Sequence, residues 1–242
     1  MWTIFLDIDG TLLRTGGAGL DAIRETVAEL FGDDIELPQV SVCGRTDAGI
    51  LSDLFRDQTF DWQSRLPEFY SCYSTKLKVK LATSGGEVYP GVVEFLQRLW
   101  HWKELAEQNG KGANSSEADG VAIGLLTGNC RLAAIAKIEH FGLDSYVEPF
   151  GGFGDEHPSR DDVASSAKAS AADFLGDRFD AEKIWVVGDT PNDIRCGRSI
   201  GARVLAVATG GPSMEELAKY GPDLCVENLE DSGLVEQLFF QR

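Results

Sequence analysis

Two short strings, Asp7-Ile8-Asp9-Gly10-Thr11 and Gly188-Asp189-Thr190-Pro191-Asn192-Asp193, hold the residues of this chain best suited to chemistry. A third string, Thr127-Gly128-Asn129, offers a hydroxyl beside backbone N–H groups. Each follows an apolar run that reads as the end of a buried strand: Phe5-Leu6, Leu125-Leu126 and Val186-Val187. Open parallel sheets place their ligands just beyond the carboxyl ends of their strands, so the three loops are expected to converge. Convergence would gather Asp7, Asp9, Asp189 and Asp193 in one small site, where unpaired like charges repel. Such a site requires a cation, and hard oxygen donors favour Mg2+, which is held through a few carboxylates plus substrate phosphate. An Asp carboxylate can attack phosphorus to give an aspartyl-phosphate. A second acid two residues on can protonate the leaving oxygen and then activate water. The Thr127 hydroxyl and the neighbouring N–H groups of Gly128 and Asn129 can hold phosphoryl oxygens. Arg160 is the best candidate for a cation that offsets transition-state charge.

The elements that would position these residues alternate between short apolar strands and amphipathic helices, which predicts a parallel sheet covered on both faces. Strands are expected at Trp2 to Leu6, Val121 to Leu126, Ile184 to Val187 and Val204 to Val207, each a nearly unbroken apolar run. Between them, Leu132, Ile135, Ile138 and Phe141 predict one helical stripe, and Val163, Ala167, Ala171 and Phe174 another. Pro90-Gly91 precedes a helix carrying Val93, Leu96 and Leu99, and Ser213 with Glu216 reads as a capping box. Residues 16 to 85 break the rhythm: Leu20, Ile23, Val27 and Leu30 are helical in spacing, with no convincing buried strand. The expected organisation is therefore a three-layer, Rossmann-like α/β core over residues 1–15 and 86–242, with a small α-helical cap inserted over 16–85. Gly16-Gly17 and Gly85-Gly86 stand where hinges would be needed. Residues 107 to 120, polar and poor in apolar side chains, read as a flexible surface loop.

Composition bounds the partners. A net charge of −17, from 22 basic and 39 acidic residues, argues against nucleic acid. No apolar run approaches the ~20 residues that span a bilayer, and the first residues lack a basic signal-peptide region, so a cytoplasmic protein is expected. The cysteines (Cys43, Cys72, Cys130, Cys196, Cys225) are odd in number and form no CxxC pair, which predicts reduced structural thiols. The three histidines, His101, His140 and His157, show no ligand spacing.

The Phe-Leu-Asp-Ile-Asp-Gly-Thr-Leu-Leu string resembles the first motif of the haloacid dehalogenase-like hydrolase superfamily. Leu-Leu-Thr-Gly-Asn resembles its second motif and Val-Val-Gly-Asp-Thr-Pro-Asn-Asp its fourth. The order of these motifs, with a helical insertion after the first, is similar to the phosphoglycolate-phosphatase-like branch. The resemblance implies a magnesium-dependent phosphatase acting on a small phosphorylated metabolite. It makes Asp7 the nucleophile, Asp9 the general acid/base and Thr127 a phosphoryl ligand. It assigns the metal to Asp7, the backbone carbonyl of Asp9 and Asp189, with Asp193 in support. The family's third motif is usually a Lys before a Pro. Here the stretch from Gly151 to Arg160 offers Arg160 instead, with Lys168 as its competitor inside the following helix. Cys43-Gly44-Arg45-Thr46-Asp47 resembles the loop that such caps lower onto the substrate, and Arg45 could meet a second anionic group there.

Each string has a plainer reading alone: a glycine turn, a strand-end turn with a helix cap, a helix start with favourable acids. Thr209-Gly210-Gly211 also follows a strand but is read as a turn. A sugar phosphomutase would share the aspartyl-phosphate and return the phosphoryl group to a sugar. A dehalogenase has no use for a metal cluster, and the fold would also permit a non-catalytic binding protein.

Overall fold

The computed structural model describes residues 1–32, 35, 44–109, 120–155 and 157–240. Its centre is a six-stranded parallel sheet in the order β5-β4-β1-β6-β7-β8. The strands are β1 (Trp2–Leu6), β4 (Val121–Leu126), β5 (Gly151–Gly152), β6 (Ile184–Gly188), β7 (Arg203–Val207) and β8 (Leu224–Val226). β1, β4 and β6 are buried along their whole length. Alternate side chains serve opposite faces, as the period of a strand dictates. Ile4, Leu6, Val121, Ile123, Leu125, Trp185 and Val187 enter one apolar cluster, whereas Phe5, Ala122, Leu126, Ile184 and Val186 enter the other. A strand with two buried faces has little place for polar side chains, which is why these runs are nearly all apolar, the buried Thr3 being the exception.

The first face is covered by α4 (Val92–Asn109), α5 (Arg131–His140) and α9 (Leu234–Phe240). The second is covered by α6 (Arg160–Leu175) and α7 (Pro191–Ser199). The short α8 (Met214–Ala218) lies at the β7–β8 edge, packing Leu217 on Val204 and Ala206. The buried Trp185 indole donates to the Leu238 carbonyl at 2.9 Å, tying α9 to the central sheet. Three-layer α/β architecture is thus what the alternating pattern specified.

Residues 18 to 81 contribute α1 (Ala18–Phe31), α2 (Asp47–Leu54) and α3 (Leu66–Leu81), with no strand among the described residues of that stretch. This helical segment is bracketed by a two-stranded antiparallel pair, β2 (Leu13–Arg14) with β3 (Glu87–Val88). The two connections run against each other: a Cβ on Gly16, whose φ is +60°, would lie 2.2 Å from the Ser84 carbonyl oxygen. The segment has its own apolar cluster, including Ile23, Val27, Phe55, Phe69, Tyr73 and Leu77. That cluster also takes in Cys130, Ala133 and Ala136, so the helices rest directly on α5.

Three expectations need correction. Leu132 and Ile135 do not form the buried stripe of α5; they are 47% and 37% exposed. The helix is held between the sheet and α3, and so narrow a gap accepts small side chains: Ala134 and Ile138 face the sheet, Ala133 and Ala136 face α3. Phe174 is 43% exposed and rests on Phe150 at the sheet's margin. Residues 107–109 are not loop but the end of α4, while 110–119 lie outside the described residues, as does Cys43. The other four cysteines are free thiols.

Candidate active site

Register explains why the polar strings meet. Leu6 of β1 pairs with Leu125 of β4 on one side and with Val187 of β6 on the other, so the three strands end level. Asp7 continues the β1 ladder by donating its N–H to Val187 O at 3.0 Å. Its carboxylate, with those of Asp189 and Asp193, forms a buried trio whose ligand atoms all lie within 4.8 Å of one another. Backbone alone surrounds part of this trio. A Cβ on Gly10 would stand 2.4 Å from Asp189 Oδ2, and one on Gly210 only 1.7 Å away. Thr11 Oγ1 donates to Asp189 Oδ1 at 2.8 Å, and Thr209 Oγ1 donates to Gly10 O at 2.5 Å, drawing the β7 loop onto the β1 loop.

Asp193 is fixed by local helix chemistry. Thr190 and Asp193 form a capping box at the start of α7. Asp193 Oδ2 accepts from Thr190 N at 3.0 Å and from its hydroxyl at 2.6 Å. Asp193 Oδ1 accepts from Arg160. Arg160, the first residue of α6, is buried and also lies 3.5 Å from Asp7 Oδ1. It is therefore the cation beside the acidic trio. The competing Lys168 is turned away and donates to Ile200 O at 2.8 Å.

Three acids and one guanidinium in so little space leave charge unbalanced. Burial pushes Asp7 up to about 7, with Arg160 pulling it back and Asp193 and Asp9 pushing it further. Burial likewise raises Asp189 to about 8, with Asp193 and Asp7 adding to the rise. Buried, hard oxygen donors that resist ionising together suit a small divalent cation. The donor set therefore fits Mg2+.

The Asp9 carboxylate stands outside the trio. Its Oδ2 accepts from Asn129 Nδ2 at 2.7 Å and from Lys137 Nζ at 2.6 Å. Lys137 Nζ also reaches Asn129 Oδ1 at 2.6 Å, closing a triangle of the three side chains. Thr127 is fully buried, and its Oγ1 accepts from Asn129 Nδ2 at 2.8 Å. Lys137 is a site residue that the sequence reading missed. The available signal was its place four residues after Ala133 on a helix whose buried side is otherwise apolar.

Over these groups lies a cavity of about 460 Å3, bordered by Asp7, Asp9, Thr127, Asn129, Arg160 and Asp189 below and by α1, α2 and α3 above. Arg45 borders it too, but its guanidinium is paired with Asp53 and donates to Gly49 O at 3.1 Å. The start of α2 is fastened to the core: Asp47 N donates to Gly128 O at 2.7 Å, and Ala48 N to Gly154 O at 2.8 Å. The Asp47 carboxylate accepts from Cys130 N at 2.7 Å. Gly128 is needed for this approach, since its Cβ would lie 1.9 Å from Arg45 O. His157 pairs with Ser166 at 2.8 Å.

A family profile described as haloacid dehalogenase-like hydrolase matches residues 1–201. The chain belongs to that family. Among curated relatives, this hydrolase is 27% identical over 229 residues to the phosphoglycolate phosphatase of Rhodospirillum rubrum, covering 90% of this chain and 83% of that one. It is 24% identical over 239 residues to a Clostridium perfringens protein provisionally named pyrophosphatase PpaX, covering 97% of each. Among solved structures, CbbY from Rhodobacter sphaeroides, crystallised with phosphate, superposes with a TM-score of 0.65 at 17% identity, covering 96% of this chain and 97% of that one. At that identity the likeness is one of fold. The three polar strings lie at the level ends of neighbouring strands.

Proposed function

We propose that this haloacid dehalogenase-like hydrolase is a magnesium-dependent phosphatase that cleaves small phosphate monoesters through an aspartyl-phosphate on Asp7. The observation that carries the proposal is the buried trio of Asp7, Asp189 and Asp193 with Arg160 against it. Asp7 and Asp189 would supply carboxylate oxygens to the cation, whereas Asp193 is engaged by Thr190 and Arg160 and would hold Arg160 in place. Bound Mg2+ would offset the charge of the carboxylates and of the phosphoryl oxygens, keeping Asp7 ionised.

In the first step Asp7 forms a bond to phosphorus as the bond to the ester oxygen breaks, and Asp9 gives that oxygen its proton. In the second, Asp9 takes a proton from a water that attacks the same phosphorus, releasing inorganic phosphate and restoring Asp7. Thr127 Oγ1 accepts from Asn129 and keeps its own proton for a phosphoryl oxygen, beside the backbone of Gly128. Residues 16–85 serve as the cap that closes the cavity and keeps bulk water from the intermediate.

Phosphate release from phosphorylated metabolites, with Mg2+ and with a chelator, tests the proposal. Asp7→Asn should abolish turnover and chelation should do the same. Acid quenching during turnover should trap a phosphoryl group on Asp7, read as added mass on its peptide. Full activity in Asp7→Asn, free of contaminating phosphatase, would refute the covalent route.

A further inference from the structure

The cavity has two unlike walls. Its floor carries the acids and Arg160, while its upper wall is made by Leu20 and Ile23 of α1, Ile50 of α2 and Tyr73 of α3, with bare backbone at Gly17 and Gly19. A leaving group bearing a second anion would need a counter-charge on that upper wall, because an unpaired charge is costly to bury. Among the described residues, every cation that borders the cavity already holds a carboxylate. Arg160 holds Asp193 and Lys137 holds Asp9. Arg45 holds Asp53, and Arg14 at the rim holds Glu87 at 2.9 Å. The Lys137 ammonium comes nearest to this wall, within 3.8 Å of where a Cβ on Gly19 would stand, but it is held by Asp9 and Asn129, and the buried Asp47 adds an acid beside it.

We infer that this hydrolase acts on phosphate monoesters of uncharged alcohols with an apolar body, and that it discriminates against esters whose alcohol part carries a second anion, phosphoglycolate among them. The inference rests on the phosphatase reading and adds the substrate class. Space agrees with it, since about 460 Å3 exceeds what a two-carbon ester fills.

The test is steady-state kinetics of the intact protein at saturating Mg2+ with phosphoglycolate, ethylene glycol monophosphate and benzyl phosphate. The first two match in size and differ in charge; the third adds an apolar body. Benzyl phosphate should show the highest kcat/KM. Phosphoglycolate should fall below ethylene glycol monophosphate by about tenfold or more, the scale on which a pocket rejects a mismatched group. Equal or higher kcat/KM for phosphoglycolate would overturn the inference. Leu20→Arg, at a half-buried position, supplies the missing positive charge. It should narrow the gap between the matched pair by about fivefold. An unchanged ratio, in a variant that melts like its parent, would mean that the leaving group does not face this wall, and would also overturn it. No phosphate from any of the three esters, with the protein shown to be folded, would defeat the phosphatase reading itself, an outcome distinct from hydrolysis in the wrong order.

Discussion

A carboxylate that is to attack phosphorus must be charged, and the surroundings of Asp7 oppose that. Burial holds it at about 7 and Asp189 at about 8, against the ~3.9 of a free aspartate. Between these values the folded chain keeps protons that the unfolded chain has released, so the pair's contribution to stability falls as pH rises from about 4 towards about 8. Metal ligation needs the ionised acids, so the proposed Mg2+ would displace those protons and bind more tightly across the same range. The rise in melting temperature caused by Mg2+ should be small near pH ~5.5 and grow to about pH 8.5, followed by differential scanning fluorimetry. Asp189→Asn should remove most of it. A rise that stays constant with pH would place the cation elsewhere. Lys137 acts on Asp9 and Asn129 together, and Lys137→Met keeps its stem while deleting the ammonium. That variant should lose about 10–100-fold in kcat with less change in KM, because misplacing an acid by an ångström has effects of this size. Its pH profile should also shift. A lowered melting temperature with an unmoved profile would show that Lys137 only supports the fold.

Among the elements, those with an unbroken apolar run were legible in the sequence: β1, β4, β6 and β7 lie where the runs predict, within one residue at each end. The loops after three of them carry Asp7, Thr127 and Asp189 to one edge, so the acidic core of the site was readable as well. What escaped notice depends on the absence of side chains. β5 is Gly151-Gly152, glycine because a Cβ on Gly152 would lie 2.2 Å from the Val163 carbonyl oxygen of α6. The α5 face was misjudged because large apolar residues were counted where close packing selects alanine. Gly210, read as part of a plain turn, matters because nothing else fits beside Asp189. Gly210→Ala puts a methyl group into the Asp189 carboxylate and should displace it. We expect about a 10²-fold loss of kcat/KM and a higher Mg2+ requirement. Far-UV circular dichroism of the variant should match the parent. Normal Mg2+ dependence in that variant would remove Asp189 from the cation's ligands.

At the scale of the whole molecule, an acidic protein faces an anionic substrate. The net charge of −17 repels a phosphate ester at long range, while attraction would come at short range from Arg160 and from the cation proposed for the cavity floor. The two act over different distances. Raising the salt from about 20 to about 200 mM shortens the screening length from roughly 20 to roughly 7 Å. That weakens the distant repulsion and leaves the buried contacts almost untouched. With Mg2+ fixed at saturation, kcat/KM for an ester dianion should therefore rise about two- to fivefold over this range while kcat stays level. Enzymes that draw phosphates through a basic surface show the opposite slope. Stopped-time assays of phosphate release in a sodium chloride series would measure it. A kcat/KM that falls with salt would mean that the field at the cavity mouth is positive despite the protein's charge, with the Arg160 side of the floor governing approach as well as chemistry.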